Sequence, residues 1–260
     1  MHAPKPLPFE LPPTQDELPY DDGEPMETPK HREQMNLLIE SLRGHPPSPD
    51  AFIGGNMALY YSVLQARNQD FRAPDFFVVL GADPARERKS WVVWEEDGRT
   101  PDVVIELLSD STEREDRGRK RQVYEGLRVG QYYLFDPISC DLSGFTLEER
   151  TLVPLRAGDD GGLDCPRLGL RLLVREGTFQ GRTTRWLRWV TPDGRVLPTG
   201  EERAREHAAR AEQEAARAEQ EAARAEQEAA RAEQEAARAN AAEAKAAALA
   251  ARLRALGIEP

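Results

Sequence analysis

Three short runs of nearly unbroken apolar residues constrain this chain most: FFVVL at 76–80, DVVIELL at 102–108 and QYYLF at 131–135. Each is short for a helix, and none shows the polar alternation of a half-exposed strand. Each therefore reads as a strand covered on both faces. Between the last two, Ser111 or Thr112 can cap a helix from about Glu113 to Leu127, with Glu115 placed for a capping box. Gly126 lies near its end and Gly130 just beyond. Strand, helix and strand in succession imply an α/β fold, a mixed sheet flanked by helices.

The remaining elements follow from spacing and punctuation. Met35, Leu38, Ile39 and Leu42 recur at helical intervals, which predicts a helix from about His31 to Arg43 that Gly44 and Pro46-Pro47 end. Apolar runs at 51–53 and 57–63 are short, and Trp91 to Trp94 reads as a strand. Residues 143–150 and 152–155 read as a hairpin around Glu149-Arg150. Trp186 to Val190 and Arg195 to Leu197 read as a final hairpin turning at Pro192-Asp193-Gly194.

The two ends differ from this middle. Residues 1–30 carry prolines at 4, 6, 8, 12, 13, 19, 25 and 29 and read as a disordered or extended acidic arm. Residues 201–260 hold AEQEAAR four times over, at 211–217, 218–224, 225–231 and 232–238. Ala, Glu, Gln and Arg are strong helix formers, so the tail reads as one long helix. Its seam is alanine (Ala215 and Ala218, then Ala222 and Ala225), which buries little area. A single solvated helix and a weak homo-oligomer joined through that seam are both open readings. The expected domains are thus an arm at 1–30, a folded domain at 31–200 and a helical tail at 201–260.

Charge and composition exclude several classes. The net charge is −11, of which the arm carries −5, the tail −3 and residues 31–200 only −3. A local basic strip (Arg114, Arg117, Arg119, Lys120, Arg121 and Arg128) can meet phosphates even so. The plainer reading of that strip is a solvated helix face balanced by Glu113, Glu115, Asp116 and Glu125. Cys140 and Cys165 form no CxxC pair, and His2, His31, His45 and His207 are scattered, so neither a zinc site nor a Ser-His-Asp hydrolase is supported. No apolar run nears the roughly 20 residues that span a bilayer. The Pro-rich acidic start does not resemble a secretory signal, so a cytoplasmic protein without membrane partners is expected.

One residue in the apolar runs demands an explanation. Glu106 lies inside DVVIELL on the same pleat face as Val104 and Leu108, and a lone carboxylate there is costly unless paired or bound to a cation. Asp102 is a poor partner, because four residues along one strand span roughly 13 Å. Asp75 stands at the mouth of the preceding strand and can reach, so Asp75 and Glu106 form the candidate metal pair. The plainer reading makes Asp75 a strand cap and Glu106 an arginine partner. On the following helix Asp116, Lys120, Val123, Tyr124 and Leu127 share one face, which turns Lys120 inward. There it can neutralise charge, orient a water or stabilise a phosphorane-like transition state. The alternative for Lys120 is an i,i+4 ion pair with Asp116.

The segments RAPDFFVVL (72–80), PDVVIELLSDST (101–112) and QYYLFDP (131–137), with the Asp116/Lys120/Tyr124 spacing, resemble the putative restriction endonuclease family, also called the Uma family, of the PD-(D/E)XK nuclease superfamily. HREQMNLLIESL (31–42) and GGNMALYYS (54–62) fit as well, so the resemblance covers about residues 20–200. It implies a restriction-endonuclease-like mixed sheet core and Mg2+- or Mn2+-dependent endonuclease hydrolysis of phosphodiester bonds in DNA. Asp75, Glu106 and the backbone carbonyl of Leu107 would hold the ion. Leu108 occupies the usual lysine slot, and the resemblance moves that role to Lys120. Arg114, Arg117 and Arg121 are the candidates for DNA phosphates, and Glu27, Glu33 or Glu40 would complete the site. The competing functions are a catalytically silent nucleic-acid-binding module on the same fold, and a scaffold acting through the tail.

Overall fold

The apolar runs become neighbouring strands. In a computed structural model that describes residues 11–20, 28–67, 72–109 and 116–255, β1 (Ala51–Gly54), β3 (Phe76–Leu80), β5 (Val103–Leu107), β6 (Gln131–Phe135), β7 (Leu142–Glu148) and β8 (Thr151–Pro154) form one six-stranded sheet in the order β1-β3-β5-β6-β7-β8. Only β5 and β6 run parallel; the other neighbours are antiparallel. The parallel step requires a crossover, and the segment after β5 supplies it. Every residue of β5 and β6 is buried, which is why their sequences show no alternation.

Alternation along the strands still sorts side chains between two cores. Val103, Ile105 and Leu107 pack with Phe76 and Val78 against Leu38 and Leu42 of α1 (Pro29–Arg43). On the other face Val104 and Leu108 join Phe77, Trp91, Tyr124, Leu134 and Tyr132. Tyr124 comes from α3 (Arg121–Gly126), which continues a π-helical turn at Asp116–Lys120. Helices thus flank both faces, and the chain is a mixed α/β protein with a long C-terminal helix. The part of the expected helix at 113–115 lies outside the described residues.

Some elements depart from their expected form. Trp91 to Trp94 is not one strand: β4 is only Trp91–Val92, paired parallel with β2 (Leu59–Tyr60), and Val93–Glu95 closes into a 3-10 turn. That turn aims the Trp94 indole N–H at the Pro13 carbonyl, 2.8 Å away. Of the apolar run at 57–63, only β2 is strand, and a short helix α2 (Val63–Arg67) follows. The final hairpin is also different. β11 (Arg182–Val190) pairs with β10 (Leu170–Phe179), and β10 with β9 (Leu163–Cys165). The reversal occurs at Gln180 and Gly181, both at positive φ (47° and 79°), the backbone a tight two-residue hairpin needs. Val196 meets Val190 only as an isolated bridge.

Residues 11–20 carry no helix or strand, and side-chain contacts tie them to the rest of the domain. Leu18 is buried with Tyr60 and Val92, the Tyr60 hydroxyl donates to the Pro19 carbonyl at 2.6 Å, and Lys89 pairs with Asp16 at 2.8 Å. Proline excludes regular structure here, but its carbonyls remain good acceptors. Both cysteines are free.

Residues 1–200 and 201–260 form two compact units. The second is built on α4 (Gly200–Ala255), a single helix of 56 residues with none buried. Its alanine seam is fully solvent-facing. Among the described residues no helix is long and apolar enough to cross a membrane.

One glycine positions the strand mouth where Asp75 sits. Gly55 follows β1 and packs so closely that a Cβ there would lie 2.3 Å from the Asp75 carbonyl oxygen and 3.0 Å from Ile39 Cδ1. The neighbouring Asn56 N–H donates to the Pro74 carbonyl at 2.8 Å. Gly55→Ala must therefore push the Pro74-Asp75 backbone aside. The expected loss is about 1–3 kcal/mol of unfolding free energy, read from urea titration. An unchanged midpoint would show that the approach tolerates a methyl group.

Candidate active site

Strand register brings the two acids together. Phe76 pairs with Ile105 and Phe77 with Val104, so one step further Asp75 stands level with Glu106. Alternation puts Asp75 on the face of Phe77 and Val79, and Glu106 on that of Val104 and Leu108, which is the same face. The ladder of β3 ends at Phe76, leaving the Leu107 N–H without a backbone acceptor on that side. Asp75 Oδ2 takes it, at 2.7 Å. The N–H and C=O of one strand residue leave on the same side, so the Leu107 carbonyl also faces the β3 side. The Asp75 N–H in turn approaches Glu106 Oε2 at 3.5 Å, a long contact.

Glu106 is fully buried, and its partners come from the crossover. The Tyr124 hydroxyl donates to Oε1 at 2.7 Å. Lys120 Nζ stands 3.2 Å from Oε2 and 2.6 Å from Asp116 Oδ1. Both sequence readings of Lys120 therefore hold at once: it pairs with Asp116 one turn back and still points inward at Glu106. Asp116 is itself buried, with 1% of its surface exposed. Tyr132 on β6 donates to the Asp116 carbonyl at 2.8 Å and packs its ring 5.1 Å from that of Tyr124. The site is thus tied to three elements: the β3 mouth, the end of β5 and the turn leading into α3.

Three carboxyl groups share this space with one ammonium, and burial acts on all four. Desolvation is the largest influence on both strand acids. It raises Asp75 to about 6 and Glu106 to about 7, against partial relief from Lys120. Asp75 keeps a partial opening to solvent, although protein crowds it closely enough to impose that desolvation. Burial alone would lower Lys120, but Glu106 and Asp116 outweigh it and hold the ammonium protonated above its ordinary range. Burial also pushes the Tyr124 and Tyr132 phenols well up, so both remain donors.

The other candidates stand elsewhere. Asp102 Oδ2 accepts the Leu80 N–H at 2.8 Å and serves as a strand cap. Glu33 pairs with Arg182 at 2.6 Å, and Glu40 accepts the Gly200 N–H at 2.5 Å, so neither completes the site; Glu27 lies outside the described residues. Arg117 is exposed on the π turn. Arg121 is not a companion to it: its Nη2 donates to the Leu152 carbonyl at 3.0 Å and its guanidinium covers the Phe145 ring at 4.3 Å. Arg114 lies outside the described residues. Leu108, in the lysine slot, is a buried core residue. Sequence reasoning passed over His31, which is buried with Nε2 2.9 Å from the Leu108 carbonyl and Nδ1 2.8 Å from Thr28 Oγ1. The signal was available: His31 opens the first turn of an amphipathic helix, four residues before Met35.

Whether these residues fit a divalent ion is a question of donors and charge. Among the described residues no group of three or more acidic, histidine or cysteine side chains is arranged to hold a metal. Two carboxylates, with the rest of the shell left to water, is however a usual way of binding Mg2+. The buried excess of acid over base gives such an ion electrostatic reason to enter. The donor set therefore fits, with Asp75 and Glu106 as hard oxygen ligands and Leu107 able to offer its carbonyl.

A family model described as Uma2, Putative restriction endonuclease, matches residues 7–174. Among solved structures, a putative nuclease belonging to DUF820 from Anabaena variabilis is similar. It is 16% identical, with 61% of this chain and 86% of that chain covered and a TM-score of 0.42. No curated protein matches the chain.

The raised acids make stability depend on pH in an unusual direction. An unfolded glutamic acid releases its proton near 4.5, whereas folded Glu106 keeps it to about 7, and Asp75 shifts likewise from 3.8 to about 6. The folded chain binds more protons across that interval, so this contribution is greatest at the acid end and is lost as pH rises through it. In chelator-treated protein, the difference in melting temperature between wild type and Glu106→Gln should shift steadily against the wild type from about pH 4.5 to 7. A pH-independent difference would mean that Glu106 titrates normally.

Proposed function

The chain belongs to the Uma2 family of putative restriction endonucleases, and on that premise we propose that it is a nuclease that hydrolyses phosphodiester bonds in DNA with Mg2+ or Mn2+ held by Asp75 and Glu106. The observation that carries this reading is the convergence of two carboxyl groups from adjacent strands beside a half-buried lysine that pairs with one of them. A bound divalent ion supplies Lewis acidity and an acidified water.

The chain's own groups then have distinct tasks. Asp75 is held in place by the Leu107 N–H, and Glu106 by the Tyr124 hydroxyl. Lys120 stays charged and presents its ammonium to an anionic phosphate or to the attacking water, while Asp116 keeps it from swinging away. Arg117, exposed on the same turn, offers a sequence-blind contact to a flanking phosphate, a contribution that weakens with salt. Arg114 is a second such candidate, and Arg121 is committed to the β7–β8 hairpin.

Purified chain incubated with plasmid DNA is expected to nick or cut it with Mg2+ or Mn2+ and to stop on chelation. Asp75→Ala should reduce the rate by at least about 10–100-fold. Leu108 in the lysine slot keeps a catalytically silent binding module as the second reading. Binding of DNA with no cleavage under either ion, or cleavage that Asp75→Ala leaves intact, would favour it over ours.

A further inference from the structure

The two oxygens of Glu106 have different surroundings. Oε1 receives the Tyr124 hydroxyl at 2.7 Å, whereas Oε2 lies toward Lys120 and the Asp75 N–H. Tyr124 cannot easily turn away. Its side chain is fully buried, its ring packs on Tyr132 at 5.1 Å, and Tyr132 is fastened to the Asp116 carbonyl. The phenol takes one lone pair of Oε1 and fixes the carboxylate's orientation, so a cation meets Oε1 less readily than Oε2, whose own contacts are longer at 3.2 and 3.5 Å.

Divalent ions differ in what they ask of a carboxylate. Mg2+ is small and demands near-octahedral geometry from one or two carboxylates and several waters. Ca2+ is larger, takes six to eight oxygens and accepts both oxygens of one carboxylate. We infer that Tyr124 is a positioning residue that restricts Glu106 to single-oxygen ligation and thereby sets the site's preference for Mg2+ or Mn2+ over Ca2+. This rests on the metal reading of Asp75 and Glu106. It assigns the selectivity to a phenol that touches neither the ion nor the substrate. Hydrogen-bonded partners of this kind, one bond behind a ligand, commonly alter metal affinity by about 10–100-fold.

The test needs no DNA. Full-length wild type and Tyr124→Phe are titrated calorimetrically with Mg2+, Mn2+ and Ca2+ alone. The wild type should favour Mg2+ and Mn2+, and the variant should move the Ca2+-to-Mg2+ affinity ratio toward Ca2+ by at least about 10-fold. A merely structural tyrosine would weaken all three ions together and leave the ratio unmoved, which would overturn the inference. Binding of none of the ions by wild type would overturn the metal reading and this inference with it. A ratio unchanged in a variant that still binds overturns this inference alone. Should Tyr124→Phe fail to fold, infrared spectra of wild type decide. The Glu106 carboxylate bands, isolated against Glu106→Gln, should split more widely on Mg2+ loading, as single-oxygen ligation requires. A narrowed splitting would mean that both oxygens bind.

Discussion

A carboxylate inside an all-apolar strand is the constraint around which this domain is arranged. Glu106 is fully buried on β5, and leaving it unpartnered would cost more than most single interactions return. Its environment answers that with a phenol on one oxygen, an ammonium on the other and a second acid from the next strand. The phenol and the ammonium come from the crossover and the second acid from β3, so the requirements of one side chain fix the relation of the β3 mouth, β5 and the crossover. The same arrangement leaves an excess of buried negative charge, which is a reason for a divalent ion to bind where an ordinary core would have none.

The surroundings are built to keep that geometry. Pro74 and Gly55 bring two loops into close contact behind Asp75, and the end of the β3 ladder frees a backbone N–H for its side chain. On the far side of Leu107, His31 links the start of α1 to the Leu108 carbonyl. The strand end bearing the site is therefore held from both directions. The larger sheet contributes burial, which shifts the acids and sustains the lysine, more than it contributes ligands.

The features legible in the sequence are those whose physics is local. The central strands match the runs from which they were read, because residues buried on both faces leave an unbroken apolar signature. The inward turn of Lys120 was legible from its spacing to Val123 and Tyr124, and the need of Glu106 for a partner from its solitary charge. What could not be read depends on pairing across the chain. β10 carries Arg171, Arg175 and Glu176 and is a strand because β9 and β11 flank it. The packing of residues 11–20 depends on carbonyls accepting from Trp94 and Tyr60, which no periodicity announces. Arg121 looked like a free cation, because nothing nearby in sequence revealed that Phe145 would lie beneath it.

The π turn at Asp116–Lys120 has one more consequence. Asp75 and Glu106 ride on the sheet, whose hydrogen-bond ladder fixes their spacing, but the ammonium rides on a crossover that no ladder restrains. Its distance from the two acids is governed by how the helix seats on the sheet, through the Tyr124–Tyr132 contact, the Tyr132–Asp116 hydrogen bond and the contacts of Arg121 and Glu125 with Leu152. Charge at the centre therefore depends on how a helix packs, whereas the facing of the two strand acids depends on how two strands pair.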